Sequence, residues 1–351
     1  MLLYIHIPFC DSKCFYCAFN SYVDKFEQRA SYMEALYKQL SFELERFQAT
    51  PNSIETVFIG GGTPSCVSPA MYENIFTLIK PYLIEGAEIT SEANPNSATK
   101  EWLNGMFTLG VNRISFGVQS FDDTKLKLLN RSHTKAKAIE AITHAKEVGF
   151  ANISLDIIYA VLGDTKELLE NDLSIAFSLP INHISAYALT IEEDTLFEKK
   201  PQMSKEKLSM TKSLFDSIKK HGFSQYEISN FGTYQSRHNI GYWEYKDYIG
   251  AGSGAVGMLG ATRFYPSKDI EKYIAHPLLI EEELLTEEDR LTEKIFLGMR
   301  SFVGIEKEHL NKSQKKQAEV LLAEGKIKED NGKYINKNYL LADEIALFLL
   351  V

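Results

Sequence analysis

The chain has 351 residues, 44% of them hydrophobic, and a net charge of −9, which allows a large core but disfavours a nucleic-acid partner, whose phosphates need a basic face. It has four cysteines, three of them clustered, a pattern that excludes a disulfide framework and predicts a reducing compartment. Nothing before Cys10 reads as an export signal and no apolar stretch approaches the ~20 residues that span a bilayer, so the expectation is a soluble, cytoplasmic protein that can still visit a membrane surface.

In chain order, the run from Leu2 to Ile7 is β-prone and closed by Pro8. Short β-rich runs then alternate with amphipathic segments of helical period. Strands are predicted near 2–7, 55–60, 88–93, 112–117, 152–158 and 183–189, and helices near 27–47, 69–80, 99–108, 135–148 and 166–178. Ser68-Pro69 and Thr165 look like helix starts, and Gly110 and Gly149 like helix ends. Strand–helix alternation implies parallel pairing with right-handed crossovers. The fold class is therefore α/β, a partial (β/α)6 barrel of the TIM type over residues 1–190, with ligands at the carboxyl ends of the strands. Residues 191–285 form a connecting α+β region, with a helix near 204–221 and an aromatic, glycine-rich stretch from Tyr226 to Phe264. Residues 286–351 carry a capping box at Thr286, helices near 288–300 and 313–324, an Asn331-Gly332 hairpin signal and a last helix from Ala342. Helices followed by a hairpin make a smaller, winged-helix-like module, to which the chain's acidity assigns packing rather than DNA binding.

Cys10, Cys14 and Cys17 spell C-x3-C-x2-C in the loop after the first strand. A [4Fe–4S] cluster normally takes four cysteines, so three leave one iron open to a small molecule. A structural zinc site is the competing reading; it needs a fourth ligand from His6 or the distant Cys66. Gly60-Gly61-Gly62-Thr63-Pro64 ends the second strand, where glycines let a ligand approach the backbone. Glu92 lies at the end of the third strand, Gln119 of the fourth and Asp156 of the fifth, with Arg131 in Leu129-Asn-Arg-Ser-His133. Singly, each also suits a capped or paired structural residue.

The cysteine spacing resembles the signature of the radical S-adenosylmethionine (SAM) superfamily. The whole set, in order, resembles the oxygen-independent coproporphyrinogen III oxidase-like family within it. That resemblance implies a [4Fe–4S] cluster on Cys10, Cys14 and Cys17, with SAM on its open iron. It implies that Tyr4 and Tyr16 flank the cofactor, that Gly61, Gly62 and Thr63 hold methionyl groups, that Gln119 and Asp156 suit the ribose hydroxyls and Arg131 the carboxylate, and that Glu92 binds a remaining polar group of SAM. One departure is Ala160-Val-Leu-Gly163, where the family usually has Gly-Leu-Pro-Gly.

The family holds both a coproporphyrinogen III dehydrogenase and heme chaperones of the HemW type. The dehydrogenase motif continues to a fourth cysteine where this chain has Phe19, and is preceded by a long extension where this chain has nine residues. His238-Asn-Ile-Gly-Tyr-Trp243 resembles the HNxxYW motif of the chaperones and makes His238 the candidate axial ligand for heme. The resemblance therefore implies a heme chaperone that passes heme to hemoproteins, at the membrane surface among other places, and that can form a homodimer. Radical decarboxylation of coproporphyrinogen III is the alternative.

Overall fold

The computed structural model describes residues 1–351. Six parallel strands form its centre: β1 (Leu2–Ile7), β2 (Ile54–Gly61), β3 (Leu83–Ala93), β4 (Arg113–Gln119), β5 (Asn152–Tyr159) and β6 (His183–Ala188), paired in sequence order. Helices α1 (Arg29–Arg46), α2 (Pro69–Ile79), α3 (Lys100–Leu109), α4 (Asp123–Leu128), α5 (Lys135–Val148) and α6 (Lys166–Ser178) fill the crossovers. Only α4, a single short turn, escapes the sequence pattern. The helix ends follow local chemistry. The Thr165 side chain accepts from the Leu168 amide, and Gly110 and Gly149 close their helices with positive φ.

The segment expected as a connecting region joins the same sheet at both edges. Helix α7 (Leu208–Lys220) leads to β7 (Ser224–Gln225) and β8 (Asn230–Gly232), and β8 pairs antiparallel with β6. Helix α8 (Arg237–Trp243) crosses to the other edge, where β9 (Tyr248–Ala251) pairs parallel with β1. Beyond it, β10 (Gly257–Leu259), β11 (Thr262–Pro266), helix α9 (Ile270–Ala275) and β12 (Ile280–Leu284) complete a sheet of 12 strands. The C-terminal unit has its own core and consists of α10 (Glu287–Met299), β13 (Ile305–Glu306), α11 (Lys312–Ala323), β14 (Ile327–Asp330), β15 (Lys333–Asn336) and α12 (Ala342–Leu350). The Thr286 capping box starts α10, and Asn331-Gly332, both at positive φ, turn the β14–β15 hairpin. Glu293 of α10 docks this unit beneath the barrel, pairing with Arg263 at 2.6 Å and accepting from the Tyr245 hydroxyl at 2.5 Å. No helix is long and apolar enough to cross a membrane.

Helix α8 carries the His238–Trp243 motif and closes the amino-terminal end of the barrel. Glu88, at the start of the parallel part of β3, accepts from the backbone amides of Arg237 and His238 at 2.9 and 3.0 Å, and from the Tyr234 hydroxyl at 2.7 Å. The carboxylate thus satisfies the free amides of the helix N-terminus. His238 is 1% exposed. Its Nδ1 meets Thr56 Oγ1 at 2.7 Å, its Nε2 meets the Tyr242 hydroxyl at 3.1 Å, and its ring packs on Phe58. Gly241 permits this approach, since a Cβ there would lie 2.7 Å from the Leu2 side chain. A second buried histidine, His183, is held alike by Ser154 and Tyr226, both at 2.7 Å.

His238 is therefore a floor residue. The expectation that it offers an imidazole nitrogen to heme iron is not met here, because both nitrogens are engaged and the ring is sealed from solvent. Burial, then the nearby Arg113 charge, pushes its pKa down to about 3, so it is neutral. Replacing it by alanine leaves Thr56 and Tyr242 without partners and opens a cavity. We expect His238→Ala to lower stability by about 2–4 kcal/mol in urea unfolding; an unchanged midpoint contradicts the floor role.

Candidate functional site

The mouth of the barrel is built by the loops that leave the strands at their carboxyl ends. Pro8 ends β1, and the loop from Phe9 to Tyr22 returns on itself: the Cys10 amide donates to Tyr22 O at 3.0 Å and the Tyr22 amide to Pro8 O at 2.7 Å. Lys13 ties the loop internally, donating to Phe19 O at 2.7 Å and Ser21 Oγ at 2.8 Å. All three motif cysteines are free thiols. Burial comes first in raising the thiol pKa values of Cys10 and Cys17, and the neighbouring cysteines add to it. The three sulfurs are therefore within electrostatic reach of one another. No three His, Cys, Asp or Glu side chains converge closely enough to hold a single metal ion, as a zinc site with His6 or Cys66 requires. A cube of four irons does not impose that convergence, because its thiolates bind separate irons.

The glycine loop after β2 packs directly on this loop. The Gly62 amide donates to Ile7 O at 2.9 Å, and a Cβ at Gly62 would stand 3.0 Å from Cys10 Sγ. Thr63 Oγ1 lies 3.3 Å from the same sulfur. Gly61, at φ +112°, faces the ring of His6, whose Cε1 a Cβ would meet at 2.5 Å. Sequence gives His6 no role other than that of a rival zinc ligand. The inward face of β1 turns it into the barrel, where Nδ1 meets the Tyr4 hydroxyl at 2.9 Å and Nε2 meets Asn20 O at 2.8 Å. It therefore joins the cysteine loop to the glycine loop. Tyr4 stacks on Phe58, and Phe58 packs on His238, so an aromatic column runs from floor to mouth.

The third, fourth and fifth strand ends supply polar groups. Glu92 Oε2 accepts from the Gly61 amide at 3.2 Å. Burial, then the Asp156 charge, pushes the Glu92 carboxyl up to about 8. Burial raises Asp156 to about 6, against the lowering effects of a Ser185 hydrogen bond and of Arg113 and Arg131. Two buried carboxyls, one of them raised by the charge of the other, that lack a bonded cation suit a positively charged ligand. Arg131 donates from Nη1 to Cys14 Sγ at 3.2 Å and from Nη2 to Gly117 O, while its buried Nε has no partner. Gln119 ends β4 at φ +70°, and a Cβ at Gly117 would lie 3.2 Å from both its Nε2 and Arg131 Nη2. Tyr16 stands between Cys14, Cys17 and Arg131, its hydroxyl pKa raised chiefly by burial. Ala160, at the position where the family has glycine, is held at φ +62°, a conformation that costs a residue with a Cβ about 1 kcal/mol.

The arrangement thus brings Cys10, Cys14, Cys17, Tyr16, Gly61, Gly62, Thr63, Glu92, Gln119, Arg131 and Asp156 to one end, with Tyr4 deeper inside and His238 at the other. It presents thiols, paired carboxyls and an unsatisfied guanidinium N–H to one space.

Residues 4–175 match the family model described as the Radical SAM superfamily. The chain is 35% identical to the heme chaperone HemW of Bacillus subtilis over 77% of this chain and 74% of that one, and 37% identical to HemW of Escherichia coli over 73% and 70%. HemW of Mycobacterium tuberculosis is 30% identical over 99% of this chain and 94% of that one. Among solved structures, the radical SAM enzyme coproporphyrinogen III oxidase (HemN) of E. coli superposes with a TM-score of 0.81 at 19% identity, covering 99% of this chain and 89% of that one, a likeness of fold alone.

The carboxyl pair generates a pH prediction. A raised folded-state pKa means that the stability given by protonated Glu92 is full below its ordinary value of 4.5 and is lost as pH rises through about 8. In cluster-free protein, Glu92→Gln should flatten the fall of the urea midpoint between about pH 5 and about pH 8. An equal fall in wild type and variant contradicts the raised Glu92 pKa.

Proposed function

The chain belongs to the HemW family of the radical SAM superfamily, and from that premise we propose that it is a heme chaperone, receiving heme and passing it to hemoproteins. The observation that carries this reading is the similarity to heme chaperones over about three quarters of the chain or more. Phe19, which is 68% exposed, agrees with it by occupying the place of the dehydrogenase's fourth cysteine. No particular contact at the mouth favours coproporphyrinogen decarboxylation.

The residues at the mouth fit a [4Fe–4S] cluster and SAM on the grounds of their own chemistry. Cys10, Cys14 and Cys17 would ligate three irons as thiolates, Cys10 and Cys17 giving up protons that burial otherwise holds on sulfur. When bound, the cluster supplies one-electron chemistry to the sulfonium of SAM. Glu92 and Asp156 would favour a cationic ligand and be drawn towards their charged forms by it. The free Nε–H of Arg131 would receive a carboxylate, and Gln119 with Asp156 a pair of hydroxyls. Gly61, Gly62 and Thr63 would let the methionyl end reach the backbone, with Tyr16 closing the side next to Cys14 and Tyr4 the deep side. The same proposal includes cytoplasmic residence, delivery to hemoproteins at the membrane surface and a homodimer.

Two assays on one anaerobically reconstituted preparation test the reading. Heme should bind and pass to an apo-hemoprotein, while coproporphyrinogen III with SAM and reductant should give no protoporphyrinogen IX. Porphyrin turnover, or no heme binding, overturns it. The cofactor assignment is tested separately. Cys14→Ala should abolish the cluster's visible absorbance. Asp156→Ala should keep that absorbance and weaken SAM binding about ten- to a hundredfold, as the loss of a buried hydrogen bond implies. Undiminished SAM binding removes Asp156 from the site.

A further inference from the structure

Heme on this chain requires an axial ligand, and His238 is locked in the floor. The other histidines divide sharply. His6 and His183 have both ring nitrogens bonded inside the barrel, and His133 is buried with Nε2 on Val118 O at 3.0 Å. His221 lies flat on Phe177, with its centroid 4.1 Å away, and bonds Ser217 O. His144 stands on helix α5, beside Glu147, and His309 in the short turn before α11. His276 differs. It follows α9 and is exposed, neither ring nitrogen has a hydrogen-bond partner, and it lines a groove of about 890 Å³ between the end of α9 and the outer face of α1, a size usual for small-molecule sites.

The walls of that groove have the composition of a porphyrin site. Tyr37 and Phe42 from α1 face Leu278 and Leu279 from the segment after α9. All four are large apolar side chains left open to solvent, Leu279 at 69%, and exposure of this kind clustered in one place marks a binding surface. Lys38 lines the groove; Arg46, outside the lining, is held between the Phe42 and Phe264 rings at 4.7 and 4.5 Å and paired with Glu43 and Glu282 at 3.7 and 3.8 Å. Glu45 is the one carboxylate on the wall. An imidazole with a free nitrogen, aromatic and aliphatic walls and a lysine match, respectively, the iron, the macrocycle and a propionate of heme.

We propose that this groove is a heme site, with His276 as an axial ligand and Lys38 facing a propionate. The proposal rests on the chaperone reading, and the site it names is on the outer wall of the barrel, apart from the cysteine loop at its mouth. Such a placement suits delivery, since heme on an outer wall can be handed on while the mouth stays closed around its own cofactors.

The test is heme titration of the cluster-loaded wild type against His276→Ala and Leu279→Glu, followed by visible and magnetic circular dichroism spectra. Both positions are exposed, so neither substitution should disturb folding or the cluster. His276→Ala should weaken heme binding at least tenfold and lose the imidazole-ligated spectrum, which added free imidazole should restore. Leu279→Glu should weaken binding several-fold while keeping the spectrum. If wild type and His276→Ala bind heme alike with the same spectrum, the site is wrong and the chaperone reading stands. If the wild type binds no heme, both fall.

Discussion

The molecule depends on the sealing of one end of a parallel barrel. Parallel strands that begin together leave inward polar groups at their amino-terminal ends, and buried polar groups must find partners. Here Thr56, Glu88, Arg113, Ser154 and His183 form that ring, and helix α8 answers it with His238, its own amides and Tyr242. The Glu88 carboxylate is the central contact, joining the helix N-terminus to the third strand. Because α8 lies between β8 and β9 in sequence, the same contact fixes the strands added at both edges of the sheet.

With the floor closed, ligands can enter the barrel interior only at the carboxyl ends, the side where parallel sheets bind them. The polar groups there do not satisfy one another. Burial and the Asp156 charge hold a proton on Glu92, Arg131 keeps an unpaired Nε–H, and Gln119 and Ala160 sit at positive φ. Backbone strain, a perturbed carboxyl and an unpartnered N–H concentrated at one place are the mark of a site that a ligand completes. The Tyr4–Phe58–His238 column conveys rigidity from floor to mouth, and His6 locks the cysteine loop onto it.

Most of this is legible in the sequence because its signals are local. The six barrel strands and their helices follow hydrophobic period and capping residues, and Cys10, Cys14 and Cys17 fall on one loop by spacing alone. The additions to the sheet are not legible. The pairing of β9 with β1 joins Tyr248 to Leu2, and no local pattern encodes a contact across nearly the whole barrel. His238 stands out for its motif, but a motif does not say which end of the barrel its residue faces. Only the partners Thr56 and Glu88 decide that. His6 escapes for the opposite reason, since its role comes from a carbonyl fourteen residues away and a glycine on the next strand.

The central claim is that the mouth holds a cluster with one iron reserved for a small molecule. Mössbauer spectroscopy of protein reconstituted with 57Fe, recorded without and with SAM, tests this most directly. The account predicts that one iron of the four changes its isomer shift and quadrupole splitting when SAM is added, while the other three, on Cys10, Cys14 and Cys17, do not. Four equivalent irons indifferent to SAM would contradict it.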